Sequence, residues 1–237
     1  MCTVLLRFDP AAAFPVLLAA VRDEYLSRPW EPPAEHWPHR WPGRFGGRDS
    51  TAGGTWLAVD PAAGTVTALL NGFPGLPPLG DRPTRGILPL DGLPQDVSAY
   101  DAFHLVRVSA AAATVDSWDG ATLTHRELTP GDHVIVNQGV DVNDFAPLRA
   151  AASPAPLPGL PTAAAWGDWV PLLAGGDFTG AAPRSLLVHR EVDGLVYGSG
   201  SVSLVAIGAG GVRYDFAAPP GPAAPWYEVA LTGADRC

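Results

Sequence analysis

The sequence opens with Met1-Cys2-Thr3-Val4-Leu5-Leu6-Arg7-Phe8, and this stretch decides the fold prediction. The apolar, β-branched run after Cys2 predicts a β-strand over 3–8. Cysteine is small enough for methionine aminopeptidase to remove the residue before it, so we expect Cys2 to be the mature N-terminus. A thiol of pKa about 8.5 and an α-amine of pKa about 7.7–8.0 would then form a nucleophile and its own base. The alternative is a start codon followed by a buried cysteine.

The length indicates one domain, or at most two small ones, and we predict a single domain over residues 1–237; the composition excludes several function classes. A chain of 237 residues with 47% apolar residues and eight tryptophans is long enough to bury a full core. All fifteen basic residues are arginine, which excludes chemistry that needs a lysine. The net charge of −9, without a basic block, argues against nucleic acid as a partner. The expected partner is a small-molecule ligand or substrate.

The sequence motifs and cysteine positions favour a cytoplasmic protein without a cofactor. Cys2 and Cys237 lie at opposite ends of the chain and do not form a secreted disulfide framework, and we expect Cys2 to be the reactive thiol. No apolar run approaches the roughly 20 residues of a membrane span, and we recognise no signal peptide. Phosphate-cradling and dinucleotide-binding motifs are absent. His36 and His39, separated by a proline, do not have metal-ligand spacing, so we expect no metal site.

A second apolar run, over 15–21, predicts a buried strand followed by the charged residues Arg22-Asp23-Glu24. Three adjacent charges after an apolar strand are typical of a chain that surfaces into solvent. In the alternative interpretation, Arg22 and Asp23 lie beside Cys2 and pair with each other, because buried charges need partners.

Strands dominate the rest of the prediction, and helices are few. A proline- and tryptophan-rich stretch, 27–45, predicts an irregular loop. A hairpin over 56–60 and 65–71 ends in Asn71, and the last strand of a four-stranded antiparallel meander ends in Asn137. The remaining predicted elements are a short helix near 85–90, meander strands 104–109, 114–118, 123–128 and 133–137, a helix over 142–152 capped by Asp141, a short helix over 166–173, and strands 185–189, 195–207, 212–217 and 226–231.

Several stretches, in order along nearly the whole chain, resemble the NRDE family, which includes transport and Golgi organisation protein 2. They are Met1-Cys2-Thr3-Val4, Phe8-Asp9-Pro10, Arg22-Asp23-Glu24-Tyr25, Ser27-Arg28-Pro29, Gly53-Gly54-Thr55-Trp56-Leu57, Ala68-Leu69-Leu70-Asn71, Leu128-Thr129-Pro130-Gly131, Tyr197-Gly198-Ser199 and Trp226-Tyr227-Glu228. The chain departs from the family at Val21, where the family has asparagine, and at Gly200, where the family has arginine.

The resemblance implies an α+β fold of the N-terminal-nucleophile (Ntn) hydrolase type, an αββα sandwich of two antiparallel sheets, here with reduced helical layers. It also implies similarity to cysteine acylases that cleave amides. The site residues carried over by the resemblance are Cys2 as nucleophile, Arg22 and Asp23 as groups that orient the thiol and amine, and Asn71 and Asn137 as oxyanion donors.

Three hypotheses for function follow from these patterns. The first is a hydrolase in which Cys2 attacks a carbon–nitrogen amide bond of a small acylated metabolite. The second is a non-catalytic carrier of haem or of an acyl or lipid ligand, to which family members have been linked; the tryptophans and histidines of 27–45 suit a flat hydrophobic ligand. The third is a globular domain with a relic site, which Gly200 supports. Fold resemblance alone does not decide between them.

Overall fold

A computed structural model describes residues 2–73, 82–142, 146–174 and 186–232, and most of its regular elements are strands. In chain order they are β1 (Thr3–Phe8), β2 (Val16–Tyr25), β3 (Trp30–Ala34), β4 (Gly46–Asp49), β5 (Leu57–Asp60), β6 (Thr65–Asn71), a 3-10 turn (Arg85–Ile87), α1 (Leu88–Asp91), β7 (Phe103–Ser109), β8 (Ala113–Trp118), β9 (Leu123–Glu127), β10 (Gly131–Val136), β11 (Gly139–Val140), α2 (Ala146–Ala150), α3 (Thr162–Trp166), α4 (Trp169–Leu173), β12 (His189–Val192), β13 (Leu195–Gly208), β14 (Gly211–Ala217) and β15 (Tyr227–Glu228).

The first strand lies in the middle of the larger sheet. The strand order is β11-β10-β1-β2-β13-β14-β15, with β12 paired to β13, and the neighbours are antiparallel. Thr3 pairs with Val136 of β10 on one side and with Val21 of β2 on the other. The apolar runs at 3–8 and 15–21 are therefore adjacent strands, as expected for segments that are buried on both faces.

A second antiparallel sheet, with strand order β5-β6-β7-β8-β9, packs against the first. Alternate residues of a strand point to opposite faces, so every second side chain of β1 and β6 enters the space between the sheets. The resulting core contains residues of both sheets, including Val4, Leu6, Phe8, Val16, Leu18, Leu57, Val66, Ala68, Leu70, Val106 and Val115.

Short helices and loops cover the outer faces. Helices α2 to α4 pack on the larger sheet, where Trp166 and Trp169 are fully buried against residues such as Leu5 and Val21. Leu88 of α1 packs on the outer face of the smaller sheet. The architecture is thus α+β and mainly β, with few helices, and no described helix is long and apolar enough to cross a membrane.

The prediction of an irregular loop over 27–45 is wrong in part, because β3 lies within it and pairs with β4, which was not predicted. Pro32 and Pro33 cannot donate backbone hydrogen bonds, but this two-stranded ribbon has a break in register between Glu31 and Ala34. Proline is tolerated at such irregular edge positions.

The predicted four-stranded meander is also wrong in part. β7, β8 and β9 form it, but β10 crosses to the larger sheet and pairs with β1.

Asp141 does not cap a helix: its φ is 57°, and its carboxylate accepts a hydrogen bond from the backbone N–H of Val134 at 3.0 Å. Asp141 therefore fastens the end of the unpredicted hairpin β10–β11. The described part of α2 starts at Ala146, and residues 143–145 lie outside the described part.

Three boundaries near the C-terminus differ from the prediction. The helix predicted over 166–173 is two short helices, α3 and α4, separated at Gly167, whose φ of 49° ends the first. The strand predicted over 185–189 begins only at His189, and Ser185 lies outside the described residues. The strand predicted over 226–231 is the two-residue β15.

Candidate functional site

Cys2 lies at the tip of β1, where the two sheets face each other. Its side chain packs against the core between the sheets, and its Sγ lies 3.6 Å from the backbone carbonyl oxygen of Asp23. Because Thr3 pairs with Val21 and with Val136, the next residues along these strands, Arg22 and Asn137, follow at the level of Cys2. The sheet register therefore brings one charged and one amide residue to either side of the cysteine.

A polar cavity of about 180 Å³ opens at this position. It brings together four of the five predicted site residues, and Asn137 is not among its lining residues. The lining residues are Cys2, Arg22, Asp23, Glu24, Arg28, Asp49, Ala52, Thr55, Trp56, Leu69, Asn71, Thr84, Arg85 and Gly86. They come from β1 and β2, from the ends of β4 and β6, and from the turn before α1, so both sheets contribute.

The surroundings of the Cys2 thiol keep it in its protonated, neutral form. Burial raises the pKa of Cys2 above its ordinary value, and the nearby carboxylate of Asp23 raises it further. Arg22 lowers this pKa, but its effect is smaller. The thiol is therefore protonated at neutral pH, and a base must take its proton before the sulfur can act as a nucleophile.

Arg22 and Asp23 are both buried, because β2 continues through them to Tyr25. The guanidinium of Arg22 stacks over the ring of Trp56 at 4.6 Å, and burial lowers its pKa. Asp23 instead accepts a hydrogen bond from Ser199 Oγ on the neighbouring β13. The expectation that Arg22 and Asp23 pair with each other is wrong, since consecutive residues of a strand point to opposite faces.

The contacts of Asp23 join β2 to β13. Ser199 Oγ lies 2.5 Å from Asp23 Oδ1, and the hydroxyl of Tyr197 donates to the Asp23 backbone carbonyl at 3.1 Å. Burial raises the pKa of Asp23. The register shifts between Ser199 and Ser201, so Gly200 bulges out of the pairing with β2. A Cβ on Gly200 would lie 3.7 Å from Arg22 Nη1, an ordinary van der Waals contact.

The two asparagines have different surroundings. Asn71 is the last residue of β6, is exposed and lines the cavity. Asn137 follows β10, and its backbone carbonyl accepts a hydrogen bond from His104 Nε2 at 3.1 Å. Its side-chain Oδ1 is buried and has no hydrogen-bond partner in the described part of the chain. The oxyanion roles of both residues stay predictions.

Sequence reasoning missed several residues of the cavity, and the main ones are Arg28, Asp49 and Arg85. Arg28 Nε donates to Asp49 Oδ2 at 2.7 Å. Arg85 Nη1 donates to the backbone carbonyl of Ala102 at 2.6 Å, and burial lowers the Arg85 pKa. Arg28 stands in one of the stretches that carry the family resemblance, which is a signal, whereas nothing local marks Arg85. Cys237 lies outside the described residues.

A second, shallower groove of about 380 Å³ lies among the aromatic residues of the stretch before β4. Its lining includes His36, Trp37, His39, Arg40 and Trp41. The indole N–H groups of Trp37 and Trp41 donate to Gly53 O and to an Asp91 carboxylate oxygen, and these bonds fasten the segment. Among the residues that the structure describes, no group of three or more histidine, cysteine or acidic side chains is arranged to hold a metal ion.

The fold and the cavity define a mainly β, α+β protein with a cysteine at the tip of a central strand, in a polar cavity between two sheets. The family model for Transport and Golgi organisation 2 matches residues 1–143, more than half of the chain, and the chain belongs to this family. This match confirms the NRDE family membership predicted from the sequence. All five predicted site residues fall within the matched range. A search of curated proteins found no match.

Proposed function

We propose that this protein is an N-terminal-nucleophile cysteine hydrolase that cleaves the carbon–nitrogen amide bond of a small acylated metabolite. The observation that carries the proposal is the cavity at the tip of β1, where Cys2 lies with Arg22, Asp23 and Asn71. Two antiparallel sheets with short helices on their outer faces are compatible with an Ntn-hydrolase fold. Family membership supports this comparison with Ntn hydrolases, but it does not by itself assign the reaction.

The reaction needs Met1 to be removed, so that the α-amine of Cys2 becomes free. This amine takes the thiol proton, and the sulfur attacks the amide carbonyl carbon. The tetrahedral intermediate collapses with cleavage of the carbon–nitrogen bond, and the protonated amine passes its proton to the leaving nitrogen. Water then attacks the thioester while the amine takes a proton from it. The carbon–sulfur bond breaks, the acid leaves, and the thiol regains its proton.

The surroundings of Cys2 fit these steps. The raised pKa of the thiol makes a base necessary, and an α-amine on the same residue is within reach of it. The carboxylate of Asp23 provides a negative charge that stabilises the protonated amine, and the Arg22 guanidinium favours the thiolate. Asn71 and Asn137 are the proposed oxyanion donors. One such donor is typically worth about 2.7–4 kcal/mol of transition-state stabilisation.

The test compares three proteins: the unaltered chain, Cys2→Ala, and a chain with one glycine inserted before Cys2. The insertion keeps the thiol but moves the α-amine to another residue. Each protein is incubated with acyl p-nitroanilides of increasing chain length, and intact mass is recorded. We expect removal of Met1, nitroaniline release and an acyl adduct on Cys2 in the unaltered chain only. A retained Met1, or equal activity in either variant, contradicts the proposal.

One observation favours the carrier as a second candidate. The groove lined by His36 to Trp41 presents imidazole and indole groups, which suit a flat hydrophobic cargo such as haem. The test is a titration with haem followed by its Soret absorbance, with His39→Ala as the variant and His189→Ala as the matched control. Saturable binding that His39→Ala alone removes supports the carrier, and identical titrations of all three proteins contradict it at this groove.

A further inference from the structure

Arg22 is a buried cation without a hydrogen-bond acceptor among the residues that the structure describes. Only 6% of its surface is exposed, and no hydrogen bond joins its guanidinium to the residues that the structure describes. Its Cζ atom stacks over the flat face of Trp56, 4.6 Å from the ring centroid. Burying a charge costs free energy unless the charge is paired or hydrogen-bonded, and the lowered pKa of Arg22 reflects this cost. An anion in the cavity would offset it.

Arg85 lines the same cavity, and most of its N–H donors make no hydrogen bond with the described residues. Of its five N–H donors, the described residues take up one, which binds the backbone carbonyl of Ala102. Cys2 and Glu24 interact electrostatically with both Arg22 and Arg85. Two guanidinium groups, one from β2 and one from the turn before α1, therefore lie near the thiol.

The carboxylates that line the cavity already have partners of their own. Asp49 binds Arg28, Asp23 accepts from Ser199, and Glu24 Oε1 accepts from the backbone N–H of Tyr25 at 2.9 Å. The protein as a whole carries a net charge of −9, so any attraction for an anion must come from local groups rather than from the overall field. Arg28 binds Asp49 through its Nε–H, whereas no carboxylate of the described residues accepts a hydrogen bond from Arg22 or Arg85.

We propose that Arg22 and Arg85 form an anion-binding subsite beside Cys2, and that the amide hydrolysed there carries a carboxylate. This inference rests on the proposed function and adds the substrate class. A guanidinium presents a planar fork of donors that matches the two oxygens of a carboxylate. The cavity is small, about 180 Å³, and lined mainly by polar and charged groups, which favours a short carboxylate-bearing group over a long acyl chain.

The first test compares two alkylating reagents that differ mainly in charge, iodoacetate and iodoacetamide. The rate ratio at Cys2, measured by peptide mass spectrometry, is divided by the ratio for glutathione. We expect at least a tenfold preference for iodoacetate, roughly the lower end of electrostatic focusing in charged clefts. Arg85→Gln should reduce this preference towards that of glutathione. Arg126→Gln removes an exposed arginine outside the cavity and should leave it unchanged. No preference in the unaltered chain overturns the subsite.

The second test does not need a reactive thiol. In the Cys2→Ala background, calorimetric titration with succinate is compared with its neutral counterpart, succinamide. We expect succinate alone to bind, and Arg85→Gln to weaken this binding at least about tenfold, as the loss of one contact of about 1.4 kcal/mol would do. Equal binding of both compounds, or of neither, overturns the subsite.

The two proposals fail in different ways. Turnover of neutral acyl p-nitroanilides with no gain for the succinyl compound supports the hydrolase and overturns the subsite. Selective succinate binding by a chain that keeps Met1 supports the subsite and overturns the hydrolase. If both hold, the succinyl p-nitroanilide should have a higher kcat/KM than the butyryl compound, and Arg85→Gln should remove that difference mainly through KM.

Discussion

Two buried arginines of the larger sheet, Arg213 and Arg22, have opposite surroundings. Arg213, on β14, donates through Nε and Nη2 to both carboxylate oxygens of Asp215, at 2.7 and 2.9 Å. It also donates to the backbone carbonyls of Leu157 and Leu160. Arg22, on β2, is as deeply buried and makes none of these bonds with the described residues. The described residues take up four of the five N–H donors of Arg213 and none of those of Arg22.

The difference separates an arginine that holds the fold together from one that is available to a ligand. Asp215 also accepts hydrogen bonds from Thr162 Oγ1 and from the indole N–H of Trp166, at 2.6 and 2.8 Å. The Arg213–Asp215 pair therefore fastens α3 and the segment before it to the sheet. Arg7 does the same elsewhere, with all five donors used on Asp132, Ser153 and two carbonyls of the helical layer. In the part of the chain that the structure describes, no such network of hydrogen bonds surrounds Arg22.

Asp215→Ala should have the largest effect on stability. It leaves the buried guanidinium of Arg213 without its counter-charge and removes the acceptor of Thr162 and Trp166. Breaking a buried ion pair by removing one partner costs about 3–5 kcal/mol. Urea unfolding followed by tryptophan fluorescence measures this loss. As a control, the double variant Arg213→Met with Asp215→Leu should lose less free energy of unfolding than Asp215→Ala alone. A larger loss in the double variant contradicts the argument.

Arg22→Met should have the opposite sign. It removes a buried charge that makes no hydrogen bond with the described chain, while methionine keeps apolar contact with Trp56. The free energy of unfolding should stay the same or rise by up to roughly 2 kcal/mol, because the desolvation cost of the charge disappears. The same urea titration decides this, and a loss comparable with that of Asp215→Ala would show that Arg22 supports the fold as Arg213 does.

The sequence predicted the elements whose pattern is local. The apolar runs at 3–8 and 15–21 became β1 and β2, and Asn71 and Asn137 stand at strand ends as expected. The pairing of β3 with β4, and the hairpin fastened by Asp141, depend on partners elsewhere in the chain that no local pattern reveals. Propensity rules also treat proline as a breaker of strands and cannot show where a ribbon tolerates it.

The site was predictable only where the family resemblance reached. Cys2 and Arg22 were marked by that resemblance and meet because β1 and β2 are adjacent. Arg85 comes from a turn more than sixty positions later, and only the packing of that turn on the strand ends brings it to the cavity. The failed pairing of Arg22 with Asp23 has a simple cause, since neighbours in sequence point apart once the strand continues through them.

The pH dependence of His104 tests a polar contact between the sheets near the site. Its Nε2–H donates to Asn137 O and its Nδ1 accepts from Ser117 Oγ at 2.7 Å, so the folded protein holds it neutral, and burial lowers its pKa. A depressed pKa means that the unfolded chain binds the proton more readily, so stability falls as pH drops through about 6.5.

His104→Gln should lower stability at neutral pH by about 1 kcal/mol, through the weakened bonds to Asn137 and Ser117, and should flatten the decline below pH about 6.5. Urea titrations at several pH values measure both effects. His189→Gln, on the exposed strand β12, is the matched control and should keep the full decline. A decline as steep in His104→Gln as in the unaltered chain would exclude His104 as its source.

Gly200→Arg should have the smallest effect on stability and sharpens the contrast between the arginines most directly. Gly200 bulges beside Arg22, its φ lies outside the left-handed region, and a Cβ there would meet only Arg22 Nη1 and Leu26 at ordinary contact distance. The free energy of unfolding should therefore change by no more than about 0.5 kcal/mol.

A new guanidinium beside Arg22 adds positive charge next to the cavity, so the preference of Cys2 for iodoacetate over iodoacetamide should increase. Gly200→Gln controls for side-chain size and should leave that preference unchanged. If Gly200→Arg instead destabilises the fold as strongly as Asp215→Ala, the space beside Arg22 is not open to a charged group, and the interpretation of Arg22 as a ligand-binding arginine loses its basis.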